Sequence, residues 1–206
     1  MRSDSIAYVI AGIAFGTILG WVVATQQVRR AAATPTEASA PANQTAAAGN
    51  TTRQAPTLDQ ARVQELQKQV ASNPKDVNAV IQLGNTFFDA EHWEDAITWY
   101  RKAIELDPKN ADASTDLGVS LYYSNRADEA LAQFEKSLKI SPTHTKTLLN
   151  KGIVLAFGKQ DLRGAAAEWE KVVTLAPNSP EGQAARRALE GIAAAHANGN
   201  TPPSNQ

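Results

Sequence analysis

The feature that most constrains this chain is a period. Gly84, Gly118 and Gly152 stand 34 residues apart, each at the head of the same short pattern. A fixed interval of that size describes one small structural unit used repeatedly, in which no unit buries its apolar face alone and each is completed by its neighbour.

The units align residue by residue. The first carries Leu83, Gly84, Phe87, Ala96, Tyr100, Ala103 and Pro108, and the second carries Leu117, Gly118, Leu121, Ala130, Phe134, Ser137 and Pro142, each offset by 34. The third keeps Gly152 and Leu155 in register, then slips by one residue to Ala165, Trp169, Val172 and Pro177. The extra residue is expected in the turn Gly158-Lys159-Gln160-Asp161, where an insertion costs little. Small residues at the glycine positions and at Ala96, Ala130 and Ala165 let two antiparallel helices approach, and Phe87, Tyr100, Phe134 and Trp169 fill the space between them. Each proline closes the second helix of a pair, because it lacks an N–H and restricts the residue before it.

Motif, period and helix breakers together resemble the tetratricopeptide repeat (TPR) family. The resemblance implies an all-α solenoid of helix-turn-helix units, with repeats at 77–110, 111–144 and 145–179. Pro74 and Leu66 lie 34 residues before Pro108 and Tyr100, so 57–76 reads as a half repeat opened by the capping box Thr57-Leu58-Asp59-Gln60. Residues 179–197 place Ala184, Ala188 and Ile192 in one row with Leu189 beside it, the pattern of a C-terminal capping helix over the last stacking face. A disordered tail is expected at 198–206.

Ahead of the array, residues 6–24 are uncharged and mostly apolar. At ~1.5 Å per residue they match the thickness of a bilayer core, so 1–28 is expected to form a single-pass transmembrane anchor. A cleaved signal peptide competes, since Val22-Val23-Ala24 offers small residues, although the apolar run is longer than the core of such a peptide. Gly12, Gly16 and Gly20 share one helix face and form a candidate seam for packing against a membrane partner or a second copy. Residues 29–56, rich in alanine, threonine and proline, cannot bury enough surface to fold and read as a disordered linker spanning on the order of 30 Å. Arg2 before the span nearly balances Arg29 and Arg30 after it. A short amino terminus followed by such a tether resembles bacterial inner-membrane proteins with a periplasmic domain, which implies an array on the periplasmic side.

The residues for bond chemistry are missing from the sequence. The chain has no cysteine, which excludes disulfides, lipoprotein attachment, c-type haem attachment and cysteine-metal sites. It has no Gly-rich phosphate loop, no G-x-S-x-G elbow and no paired-histidine zinc helix. Residues 57–197 carry 16 basic and 19 acidic side chains, without a basic stripe interleaved with aromatics, so nucleic acid is not an expected partner. His92-Trp93-Glu94-Asp95 is the one dense polar-aromatic cluster. Its register makes it an inter-helix turn equivalent to Arg126-Ala127-Asp128-Glu129, where carboxylates favour a helix N-terminus through the macrodipole. No cofactor, metal or catalysis is expected.

Function is therefore sought on the groove that such arrays present, which the TPR resemblance lines with the first helix of each unit. Carried onto this chain, the groove positions are Asn78, Ile81, Asn85, Phe88 and Asp89 in the first unit. The second unit supplies Asp112, Thr115, Val119, Tyr122 and Tyr123. The third supplies Lys146, Leu149, Ile153, Ala156 and Phe157, with Asn150 beside them. Aromatic groups there offer large contact area at little entropic cost, and Asn85 and Asn150 can hydrogen-bond a peptide backbone.

One variant of the family clamps a C-terminal carboxylate with Lys and Asn, then Asn, then Lys and Arg. Asn85 and Lys146 match it, whereas Ile81, Asp116 and Asn150 stand where Lys, Asn and Arg are expected, and Asp116 repels a carboxylate. The run Ala165-Ala166-Ala167-Glu168-Trp169-Glu170-Lys171-Val172, followed by Ser179-Pro180-Glu181, is similar to repeat domains of bacterial cytochrome c biogenesis factors, which implies an alternative role in holding apocytochrome. A structural subunit of a membrane complex is the other alternative. The leading expectation is a membrane-tethered scaffold that binds a protein or peptide without turnover.

Overall fold

The computed structural model describes residues 56–197. The anchor, the seam of Gly12, Gly16 and Gly20, the linker and the tail lie outside the described residues. Among the described residues no helix is long and apolar enough to cross a membrane.

The described residues form a succession of helices. These are α1 (Gln60–Ser72), α2 (Val77–Asp89), α3 (Trp93–Leu106), α4 (Ala111–Tyr123), α5 (Ala127–Ile140), α6 (Thr145–Ile153) with a π-helical continuation at Val154–Gly158, α7 (Leu162–Leu175) and α8 (Pro180–Ala197). Each packs on the next in chain order, and α4 also packs on α6. The pairs α2–α3, α4–α5 and α6–α7 are the three units read from the period. α1 stacks on α2 and buries Val63, Leu66 and Val70.

Local chemistry explains where the helices start. Asp59, Asp76 and Asn110 accept hydrogen bonds from the backbone N–H of Arg62, Ala79 and Ala113 at 2.9, 3.0 and 2.9 Å, capping α1, α2 and α4. The cap of α1 is therefore Asp59, two residues inside the expected Thr57 box. Thr57 is exposed and precedes the helical backbone that a box would need. α3 and α5 begin at His92 and Arg126 without a side-chain cap, and carry Glu94 and Asp95, or Asp128 and Glu129, in their first turns. Those carboxylates offset the positive end of the helix dipole.

The turn inside each unit is the same backbone event. Glu91, Asn125 and Gln160 take φ of 62°, 60° and 57°, and the N–H after each returns to the preceding helix. His92 N–H reaches Phe87 O and Arg126 N–H reaches Leu121 O, both at 2.9 Å. In the third unit Asp161 N–H reaches Leu155 O at 2.8 Å across one more residue. The insertion is thus not confined to the turn. The last turn of the helix widens from α to π over Val154–Gly158, which keeps Leu155 and Asp161 in the positions their counterparts hold.

The periodic glycines mark where the two helices of a unit touch. A Cβ on Gly84 would sit 2.7 Å from Tyr100 Cε1, and one on Gly118 would sit 2.5 Å from Phe134 Cε1. One on Gly152 would run into the Trp169 indole. Phe134 is fully buried, and Tyr100 and Trp169 nearly so. Each glycine thus leaves room for the ring that fills its unit.

α8 packs against both α6 and α7. It buries Ala184, Ala185 and Ala188, so small side chains bring it close to the last unit. Its register follows the expected capping helix, with Ala185 an additional contact residue and Ile192 only half buried.

Candidate functional site

The first helices α2, α4 and α6, the last with its π-helical continuation, hold the predicted groove positions, and the structure divides those positions into three groups by exposure. Asn78, Asp89 and Asp112 are exposed, while Ile81, Asn85, Phe88, Val119, Tyr122, Tyr123, Lys146, Asn150 and Phe157 are half buried. Thr115, Leu149, Ile153 and Ala156 are buried, so their side chains are withdrawn from any ligand. Leu149, Ile153 and Ala156 belong to the unit on which α8 packs.

Thr115 is withdrawn for a different reason. Its hydroxyl lies 2.9 Å from Ser137 Oγ and 2.6 Å from Thr147 Oγ1, and donates to Ala111 O at 2.7 Å. Thr147 also meets Ser137 Oγ at 3.0 Å and His144 Nδ1 at 2.6 Å. His144 Nε2 then reaches Asp112 Oδ1 at 3.3 Å. This chain of hydroxyls joins α4, α5 and α6 across the boundary between the second and third units. A buried polar group is tolerated where every member finds a partner.

The polar groups that remain on the face are also committed. Tyr100 donates to Asn85 Oδ1 at 2.7 Å, and burial pushes the Tyr100 phenol well above its usual range, helped by Asp116 and Asp89. Asn85 therefore presents its amide N–H groups. Asn150 donates to Lys146 O at 2.8 Å and presents its carbonyl oxygen. Lys146 Nζ sits 2.7 Å from Asp116 Oδ1. Burial works against its charge and Asp116 outweighs it, so the ammonium is held above its usual range. The two residues that matched a carboxylate clamp, Asn85 and Lys146, are thus each occupied within the protein.

At one end of the face the first two units bring four aromatic side chains together. Phe88 meets Trp93 edge to face with centroids 4.9 Å apart and Tyr123 at 5.7 Å. Trp93 stacks on Tyr123 at 4.6 Å and 19°, and Tyr122 adjoins Tyr123 at 5.9 Å. Phe88, Tyr122 and Tyr123 are among the expected groove positions. Trp93 is not, because its register assigns it to the inter-helix turn, and only the packing of one unit on the next places it beside Tyr123. The neighbouring cleft is lined by Glu91, His92, Trp93, Glu94, Asp95 and Ser124. Among the described residues no group of histidines and carboxylates is arranged to hold a metal ion.

Charge elsewhere fixes units to one another. Glu168, buried on α7, accepts from Lys151 at 2.8 Å and Lys171 at 3.0 Å, while Lys151 also meets Glu135 at 2.6 Å. Burial raises the Glu168 carboxyl and the two lysines outweigh it, leaving the group below its usual range. The hydrogen bond from His144 likewise lowers Asp112, against some desolvation. A carboxyl lowered in the folded state contributes stability above its unfolded pKa, and that contribution is lost as pH falls through the folded value. Acid titration followed by circular dichroism should therefore show stability declining from about pH 4.5 downward. Glu168→Gln should flatten that decline, and a Gln variant with an unaltered acid limb would remove Glu168 as its source.

Comparison with known proteins agrees with this geometry. A family profile described as "TPR repeat" matches residues 84–123, and one described as "Tetratricopeptide repeat" matches 111–141. No curated protein matches the sequence. Among solved structures the chain is similar to the first TPR of Spaghetti (RPAP3) bound to HSP90 peptide SRMEEVD, at 25% identity and TM-score 0.52 over 59% of this chain and 93% of that one. It is similar to the first TPR domain of human RPAP3 at 25% identity and TM-score 0.54, over 61% of this chain and 96% of that one. MamA shares the fold at 16% identity and TM-score 0.53, over 66% of this chain and 88% of that one. The period, the rings seated on Gly84 and Gly118 and the two profiles coincide on the first two helix pairs, and residues 84–141 are tetratricopeptide repeats.

Proposed function

We propose that the array binds a peptide or extended protein segment along the first-helix face of α2 and α4, without catalysis, as a scaffold for assembling or maturing a complex. The observation that carries this reading is a row of half-buried apolar side chains, Ile81, Phe88, Val119 and Tyr122, packed on one side against the core. The unit's glycine-and-ring contact does not require them, and apolar groups left at a surface in a continuous row are suited to association. The first TPR of Spaghetti (RPAP3), which is bound to an HSP90 peptide, supports a peptide as the ligand class. Because Lys146 is paired with Asp116, the ligand is an internal segment and not a free C-terminal carboxylate.

The second part of the proposal is location. Residues 6–24, with the seam of Gly12, Gly16 and Gly20, hold the array at a bacterial inner membrane, and the linker lets it reach a periplasmic partner beside the bilayer. The segment similar to cytochrome c biogenesis factors spends Glu168 on Lys151 and Lys171 and Trp169 on the core. It therefore adds no separate argument for holding apocytochrome.

Replacing Ile81 and Val119 together by Glu should lower capture of the partner from crosslinked membranes by about tenfold or more. Thermal unfolding should change little, since both side chains are already part exposed. Undiminished capture would remove the face from the proposal, and release of the chain from membranes by alkaline carbonate would remove the tether.

A further inference from the structure

The aromatic corner formed by Phe88, Trp93 and Tyr123 has an unusual electrostatic setting. Residues 77–129 contain 10 acidic and 4 basic side chains, whereas residues 130–197 contain 6 acidic and 9 basic ones. Three of those acidic side chains, Glu91, Glu94 and Asp95, share a cleft with Trp93 at the corner. Arg126 pairs with Glu129 at 2.7 Å and reaches Glu94 at 3.6 Å. Asp95 has only His92, at 3.4 Å, and among the described residues the Glu91 carboxylate has no ion pair. The same cleft is bounded by Ser124, whose Oγ is shielded from solvent and has no hydrogen-bond partner among the described residues.

Rings next to carboxylates that outnumber their cations suit a particular class of group. An apolar side chain would cover the rings and leave the carboxylates desolvated, and an anion would be repelled. A cation satisfies both, since it is attracted to an aromatic face and can donate hydrogen bonds to carboxylates at the rim. A planar guanidinium does so best, because it stacks on an indole and presents several N–H donors in one plane.

We infer that this corner is the specificity site of the peptide-binding face, where it receives an arginine, or with weaker selection a lysine, of a basic partner segment whose apolar neighbours lie along Val119 and Ile81. The inference rests on the proposed peptide-binding function and names the chemistry of its ligand. Selection of positive charge also follows from what the face lacks. Among the predicted groove positions the one lysine, Lys146, is paired with Asp116, so an acidic segment meets no free lysine among those described residues.

The test uses the full-length chain in a non-denaturing detergent, with the indole N–H signals of its four tryptophans followed by NMR and Trp93 assigned through Trp93→Phe. The probes are N-acetyl-arginine amide and N-acetyl-citrulline amide, which share shape and differ in charge. The arginine compound should shift the Trp93 signal with low-millimolar affinity, about tenfold tighter than the citrulline compound. The Trp99 and Trp169 signals should stay in place. Glu91→Gln combined with Asp95→Asn should erase the difference between probes while leaving the Trp93 signal in its folded position. Equal shifts from both probes, no shift from either, or unaltered arginine binding in the double variant would each overturn the inference. None of these outcomes touches the Ile81 and Val119 capture experiment, which judges the face itself.

Discussion

Phe134→Ala should lower the unfolding free energy by about 3–5 kcal/mol, read as a fall in the urea midpoint by circular dichroism. Phe134 is the fully buried ring of the central unit, and it lies against the backbone of Gly118. Truncation removes its transfer free energy and leaves a cavity that two helices already in close contact cannot fill. The location magnifies the consequence. In a stack where each unit is held by its neighbours, a central defect uncouples the flanks, and the transition should broaden as well as shift.

The same contact supplies its own control. Alanine in place of a helical glycine gains about 1 kcal/mol of helix propensity, but at Gly118 the new methyl meets Phe134 at 2.5 Å. Overpacking of that kind costs roughly 1–3 kcal/mol, so Gly118→Ala should be destabilising overall. Gly118→Ala with Phe134→Leu should then be more stable than the sum of the two changes, because the smaller side chain gives the methyl room. Additive behaviour would mean that the glycine is not there to seat the ring.

Thr147→Val should cost about 2 kcal/mol although it preserves shape. The hydroxyl it removes meets Thr115 at 2.6 Å, Ser137 at 3.0 Å and His144 Nδ1 at 2.6 Å, so several groups lose a partner at a buried boundary. Thr115→Val should cost less. Ser137 continues to donate to Ala111 O at 2.9 Å, and Thr147 retains Ser137 and His144. The double variant should fall short of the sum, since replacing both partners by apolar groups leaves fewer unsatisfied atoms than replacing one. Equal costs for the two single variants, in chemical denaturation, would show that the hydroxyls act as independent pairs and not as a network.

These residues also show where sequence reading stopped. The TPR resemblance makes Thr115 a groove position, and nothing in the period reveals that Ser137 and Thr147, from two other helices, converge on its hydroxyl. The register places Trp93 in a turn, and it is part of the aromatic corner because Tyr123 of the next unit stacks on it. The third unit's additional residue was visible as a slip in register. Its accommodation as a π-turn was not, because sequence spacing gives the length of a segment and not which hydrogen bonds close it. By contrast the glycine-and-ring pairs and the row of small residues at Ala184 and Ala188 are readable, since each depends on spacing along a single helix or between two adjacent ones.

The division has a physical basis. A 34-residue period, its breakers and its small-large alternation are properties of local helix geometry, and local geometry is encoded in intervals along the chain. By itself the sequence determined that this protein stacks helix pairs, and where each pair begins and ends. Which surface stays open was decided only when the units were packed. α8 lies on α6, in the unit where Leu149 and Ile153 are buried, Asp116 takes Lys146, Tyr100 takes Asn85, and the carboxylates beside Trp93 gather from the turn of the first unit. Those outcomes depend on side chains far apart in the chain competing for the same partner, and the competition has no counterpart in any interval of the sequence.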